Sequence, residues 1–195
     1  MTELRTERLA LRPLQPEDRE ALVAHWAGAQ VRRFLFDDKA PTPSQVTQFV
    51  TTSQQDFATS GYGLWSLRLI GSETVGGADL AWPRLVGGGL IGTIGLRTLE
   101  TGDGDAIEIV YSLEPAYWRR GLVTEAAVAV LSHAFETVGL DRVLAEIDEG
   151  NSASVAVAER LGMRPVATVR GELGPMTHYA VMREEWLESR REKRD

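Results

Sequence analysis

The stretch from Glu108 to Phe135, EIVYSLEPAYWRRGLVTEAAVAVLSHAF, constrains this chain most. Its first part, Glu108 to Leu113, reads as a strand, Pro115 marks a bend, and Leu122, Ala126, Val130 and Phe135 return on related turns of a helix. Trp118-Arg119-Arg120-Gly121-Leu122-Val123 is the hinge between them. A strand–turn–helix of this kind gathers free backbone N–H groups, the positive end of a helix dipole and two guanidinium groups. That combination suits a phosphate or pyrophosphate. The same pattern is also ordinary structural punctuation. No Gly-Lys-Ser/Thr follows the turn and no Gly-x-Gly-x-x-Gly precedes the helix, so neither a nucleotide P-loop nor a dinucleotide fingerprint is present.

The remaining elements fall around this core. Leu9 to Pro13 predicts a first strand, and Pro16-Glu17-Asp18 opens a helix that places Leu22, Val23 and Trp26 on one face. Thr42 and Pro43 start a second helix, Val46, Phe49, Val50, Ser53 and Phe57 keep its spacing, and Gly61 ends it. These helices are expected to cover one end of a sheet. Leu64 to Ile70 and Gly89 to Leu99 read as strands. Gly71 to Gly88, with Trp82, Pro83 and Arg84, is too long for a hairpin loop and is either a solvent-exposed elaboration or a substrate-facing loop. After a turn at Thr101 to Asp105 and the Glu108 strand, Gly139 ends the long helix and Arg142 to Asp148 forms the next strand. Asn151 and Ser152 cap a short helix closed by Gly162, and Arg164 to Arg170 and His178 to Met182 form two final strands before a charged tail. With neither repeat nor linker, residues 1–195 read as a single α/β domain.

Composition narrows the function. The formal net charge of −7 argues against broad nucleic-acid binding and leans towards a cationic substrate. Zero cysteines exclude disulfides, thiolate metal sites and a cysteine nucleophile. No apolar run suggests a membrane span or a signal peptide, so a cytoplasmic protein is expected. No His/Asp/Glu spacing suggests a metal site.

Several pieces in order carry a family likeness: LRTERLALRPLQPEDREALVAHW near the start, LIGTIGL at 90–96 and EIVYSLEPAYWRRGLVTEA at 108–126. Asn151 and Ser154, then Glu159-Arg160-Leu161-Gly162-Met163, and finally HYAVMREEW at 178–186, complete the set. Together they resemble the GNAT superfamily of acetyl-CoA-dependent N-acyltransferases, most nearly the group like the RimJ/RimL ribosomal-protein N-terminal acetyltransferases. The resemblance implies a GNAT fold: a mixed, mostly antiparallel central sheet flanked by helices, with a V-shaped splay between two parallel strands, 108–113 and 142–148. It implies acetyl-CoA as co-substrate, its pantetheine arm along Tyr111, Ser112 and Leu113. Its pyrophosphate would lie on Trp118, Arg119, Arg120, Gly121, Leu122, Val123 and Thr124, and Asn151 would contact the arm or cap its helix. The family loop often carries glycine at the position of Arg119 and glycine or alanine at that of Val123.

Acetyl transfer to an amine needs a neutral nucleophile, a stabilised oxyanion and a leaving thiolate. Without cysteine, direct attack within a ternary complex is expected. Glu108 and Glu146 are the candidate bases, and either is alternatively a salt-bridged strand residue. Ser154 is the candidate partner of the thiolate, since the position where some relatives place a tyrosine acid is Ala158. The acceptor is a small-molecule amine or a protein N-terminus. His25 and His133 are expected on helices as surface or partly buried residues, whereas His178 on the last strand could face the acceptor. Trp26, Trp65 and Trp82 either line an acceptor pocket or belong to the core. A homodimer stays open, and the alternative to an enzyme is a catalytically weak GNAT-like module that binds CoA or a partner.

Overall fold

The computed structural model describes residues 2–70, 89–102 and 104–192. The predicted connection Gly71 to Gly88, with Trp82, and Asp103 of the predicted turn lie outside the described residues. Eight strands form one sheet: β1 (Leu4–Arg5), β2 (Leu9–Pro13), β3 (Leu64–Leu69), β4 (Leu90–Thr101), β5 (Gly104–Leu113), β6 (Arg142–Asp148), β7 (Arg164–Arg170) and β8 (Pro175–Met182). Their order is β1-β2-β3-β4-β5-β6-β8-β7. Every neighbouring pair is antiparallel except β5 and β6.

That exception shapes the site. β4 and β5 stay in register from Gly92–Leu113 to Thr101–Gly104, whereas β5 and β6 share the single registered pair Glu108–Leu144. Beyond it the two strands part, leaving the β6-facing edge of Ile109 to Leu113 without a strand partner. A backbone edge open inside a fold needs other hydrogen-bond partners, and a ligand can supply them. The splay implied by the family likeness is therefore present.

Helices close both faces. On one, α4 (Leu122–Ser132) and the six-residue π-helical turn His133–Val138 pack Leu122, Ala126, Val130 and Phe135 into the main core with Trp65, Ile94 and Val143. On the other, α1 (Arg19–Ala27), α2 (Ala29–Leu35) and α3 (Pro43–Ser60) enclose Leu14, Leu22, Trp26, Val31, Val46 and Val50. Burial of each such large side chain stabilises the fold by about 1.5–3 kcal/mol. The α3 boundaries follow from local chemistry. Thr42 accepts from the Gln45 N–H at 3.3 Å, Gln45 reaches back to the Thr42 N–H at 2.8 Å, Pro43 needs no donor partner in the first turn, and Gly61 takes φ 78° at the end. α5 (Ser152–Arg160) and α6 (Arg183–Glu192) complete the set.

β1 and α2 are not among the elements expected from sequence. Trp26 and Trp65, expected in a pocket or in the core, are both core, the Trp65 indole donating to the Thr2 carbonyl at 2.8 Å. No helix among the described residues is long and apolar enough to cross a membrane.

Candidate active site

The splay opens into a cavity of about 1300 Å³. All the site candidates read from the sequence line it: both glutamates, Ser154 and Asn151, the β5 residues Tyr111 to Leu113 and the hinge residues Trp118 to Thr124. Gln30, Val31, Phe34 and Leu35 of α2 add a wall that the sequence reading lacked. The i, i+3, i+4 spacing of Val31, Phe34 and Leu35 is a helical signal that could have revealed it.

One end of the cavity is the hinge between β5 and α4. α4 begins at Leu122, so its first amides open towards the loop, and Glu125 in its first turn is tied back to the N-terminal segment. Glu125 Oε2 pairs with the Arg8 guanidinium at 2.6 Å, Oε1 accepts from the Thr6 hydroxyl and the Arg8 N–H, and Arg8 Nη1 donates to the Arg120 carbonyl at 2.9 Å. Burial pushes the Glu125 carboxyl up, but the Thr6 and Arg8 contacts outweigh it and hold it below its ordinary value. Arg119 at φ 60° and Gly121 at φ 73° both adopt the left-handed region. Only glycine takes that region freely, which gives a physical reason for the family's preference for glycine where Arg119 stands. The Trp118 indole donates to the Leu113 carbonyl at 2.6 Å, so that carbonyl already has a partner.

The other end is acidic. Glu108 is 3% exposed and pairs with Arg97 across β4 and β5 at 2.7 Å. Burial raises its carboxyl above the usual value, against the pull of Arg97 and of the Glu146 backbone N–H. Glu146 lies on the cavity side of β6, half-buried, and bonds to His178 Nε2 on β8 at 2.6 Å. His178 thus reaches the cavity through Glu146. Asp148 follows on the same face of β6.

At the wall of the splay, Tyr111 donates to the Ser154 carbonyl at 3.3 Å, and burial pushes its hydroxyl pKa up to about 12, so it stays protonated. Asn151 Oδ1 accepts from the Ser154 N–H at 3.2 Å and caps α5. Ala158 is buried in the core and is not part of the cavity wall.

A further set of groups escaped the sequence reading. His25 is 3% exposed, with Nδ1 at 2.6 Å from Glu114 and Nε2 at 2.8 Å from the Ser112 hydroxyl. Ser112 lies 2.9 Å from the Thr93 hydroxyl, which takes the Trp26 indole N–H at 3.4 Å. A carboxylate only accepts, so the tautomer that satisfies both partners carries its proton on Nδ1 and lets Nε2 accept from Ser112. Thr93, Ser112 and His25 then each donate and accept one hydrogen bond in a chain that ends on the Glu114 carboxylate. His133 is likewise buried, against the expectation of a surface or partly buried residue, and bonds to the Gly61 carbonyl at 2.8 Å. Both histidines sit on helices that face the sheet rather than solvent.

A mixed sheet split between two parallel strands, flanked by helices, is the fold that the family likeness implies. Residues 8–164 match the model of the Acetyltransferase (GNAT) domain. This chain belongs to the GNAT acetyltransferase family and is an N-acetyltransferase. It is similar to the "Uncharacterized N-acetyltransferase YoaA" of Bacillus subtilis, 26% identical over 167 residues, covering 86% of this chain and 85% of the relative. A second relative is the "FsC-acetyl coenzyme A-N(2)-transacetylase" of Aspergillus fumigatus, 29% identical, covering 94% and 77% of the two chains. Among solved structures, an acetyltransferase from Agrobacterium tumefaciens superposes with a TM-score of 0.70 at 26% identity, covering 93% of this chain and 94% of its own.

Proposed function

We propose that the chain transfers an acetyl group from acetyl-CoA to a primary amine, of a small molecule or of a protein N-terminus in the RimJ/RimL-like manner, by direct attack. The observation that carries this reading is the splay itself: an unpaired β5 edge leading from an anion cradle to a set of carboxylates within one cavity. The residues fit the co-substrate. The free backbone edge at Tyr111 and Ser112 suits the amides of a pantetheine arm, Leu113 being engaged by Trp118. Trp118 to Thr124 suit its phosphates, and Asn151 and Ser154 line the space that the arm would take. When bound, acetyl-CoA supplies the activated acyl thioester.

The chain's own groups then handle protons. Glu146 is the better placed of the two candidate bases, being half-buried and oriented by His178. Glu108 is held by Arg97 and sustains the local charge. The Ser112–His25–Glu114 chain offers a second proton route. Ser154 stands at the cavity wall as partner of the departing thiolate.

Calorimetry with acetyl-CoA tests the cofactor, and absence of heat at about millimolar ligand would remove it. A thiol-release screen against N-terminal peptides, polyamines and aminoglycosides then tests transfer. With any acceptor that reacts, Glu146→Gln should lower kcat/KM by about 100-fold. Unchanged rates in Glu108→Gln and Glu146→Gln alike would clear both carboxylates and leave Ser112→Ala as the deciding variant.

A further inference from the structure

The cavity does not stop at the splay. Val128, Ala129 and Ser132 line it from α4, and Ala156, Val157 and Arg160 line it from α5. Both sets have the same spacing, i, i+1, i+4, which puts each on a single helix face. The two helices, packed against one another, therefore form the walls of a groove. β5 and β6 run parallel and each helix follows its strand, so α4 and α5 start at one edge of the sheet and end towards the other. Along α4 the groove runs from the hinge to Ser132, a distance of about 15 Å at the helical rise.

Two guanidinium groups line this groove from different helices. Arg160, the last residue of α5, is exposed, and its side chain makes no ion pair or hydrogen bond among the described residues. Arg190 of α6 is half-buried, its guanidinium 5.4 Å from the centroid of the Trp186 ring. Trp186 is itself buried and packs on Phe135, in the turn that follows α4, with ring centroids 6.1 Å apart. Such a stack holds the planar group in place, and a ring face takes none of its in-plane N–H donors. Both arginines reach the cavity.

Besides its pyrophosphate, CoA carries one further phosphate, a dianion on the ribose 3′ oxygen. A chain of net charge −7 does not draw a dianion by its overall field, so local cations must hold it. Planar guanidinium forks match a phosphate in two-point hydrogen bonds. Long side chains on a helix lean towards its N-terminus, so the Arg160 head lies nearer the hinge than its own Cα. Between the hinge and the arginines, Val128, Ala129, Ala156 and Val157 offer apolar walls to an adenosine. We infer that Arg160 and Arg190 bind the 3′-phosphate of CoA, so that the chain distinguishes CoA from dephospho-CoA. This rests on the reading of the cavity as the acetyl-CoA site. Arg160 also suits the negative end of the α5 dipole, but that role adds stability without telling the two ligands apart.

Calorimetry of the whole chain at low salt tests this, with CoA and 3′-dephospho-CoA as probes. CoA should bind at least about tenfold tighter, and the gap should narrow as salt rises. Arg160→Gln and Arg190→Gln should each narrow the gap several-fold by weakening CoA, with dephospho-CoA unchanged. The double variant should bring the two ligands within about twofold of each other. Arg119→Gly should weaken both alike, since both carry the pyrophosphate. Equal affinities in the unaltered chain would overturn the inference, as would a gap that survives in the double variant. A gap abolished by Arg119→Gly alone would overturn it too, by placing the 3′-phosphate at the hinge. Absence of heat with either ligand is distinct from equal binding, and it would remove the acetyl-CoA reading and this inference together.

Discussion

Arg119 shows how one side chain can serve two opposed demands. At φ 60° it holds a conformation that disfavours any residue with a Cβ, yet it places a guanidinium beside the predicted phosphate cradle. Arg119→Gly should raise stability by about 1 kcal/mol and weaken CoA binding several-fold. Urea unfolding and calorimetry read the two effects separately, and a variant both less stable and tighter binding would contradict the account. Asp148 makes a second residue-scale case. Burial first, then Asp37 and Glu146, raise its carboxyl, so the folded chain holds that proton more tightly than the unfolded chain. Stability therefore falls as pH climbs from the ordinary carboxylate range through the raised value, and returns on acidification into that window; Glu108 adds a slope of the same sign. Asp148→Asn should flatten the slope and be roughly 1–3 kcal/mol more stable near pH 7. Midpoints of urea unfolding from the ordinary carboxylate range up to neutral pH decide it.

Legibility from sequence also divides by residue. The cradle and the β5 candidates are neighbours along the chain, so the strand–turn–helix pattern set them side by side and the family likeness gave them their expected roles. His25 could not be read that way, because its partners Ser112 and Glu114 lie 87 and 89 residues away. Its helical neighbours mark only a helix, and which face meets β5 is decided by packing. The pairing of Glu108 with Arg97 was hidden for a related reason: both strands were legible, their register was not.

At the scale of elements, the joint between β4 and β5 controls the mouth of the splay. A Cβ on Gly92 would meet the Ser112 carbonyl oxygen at 2.3 Å and the Leu113 Cα at 2.9 Å, both backbone atoms that cannot rotate aside. Gly92→Ala should therefore push β5 outward, lowering stability by about 1–3 kcal/mol and weakening CoA binding. Retained stability and affinity would show that β5 yields without consequence. The tie between α4 and the N-terminal segment behaves differently with pH. Because the Glu125 carboxyl is held below its ordinary value, its contribution is present above that value and lost as pH falls through the depressed one. Glu125→Gln should cost about 1 kcal/mol near neutral pH, less than a buried pair because Arg8 is partly exposed, and nothing once the Glu125 carboxyl is protonated in the folded chain. Of the elements themselves, those with caps, proline starts and glycine stops were legible, α3 most clearly. β1, with two residues, is too short for periodicity to separate from loop, whereas the seven residues of α2 carry a readable spacing in Val31, Phe34 and Leu35 but no side-chain cap to mark where the helix starts.

For the whole molecule, the cavity lies between the two packed faces rather than in either. Occupying it should stabilise every element that borders it. Saturation with CoA at about 100 times Kd should add about 2.7 kcal/mol, seen as a rise of several degrees in Tm. An unmoved Tm under saturating ligand would mean that the cavity is not where CoA binds. The seal between Arg8 and Glu125 joins groups 117 residues apart. On the ribosome the chain emerges from its N-terminus at about 5–20 residues per second, so Thr6 and Arg8 wait on the order of ten seconds for their partner. The first strands can pair during that wait, but the second side of the splay, β6, emerges later still. Until β6 emerges, a growing chain has no completed seat for CoA. On the proposed reading, CoA would protect only molecules that have already closed the loop.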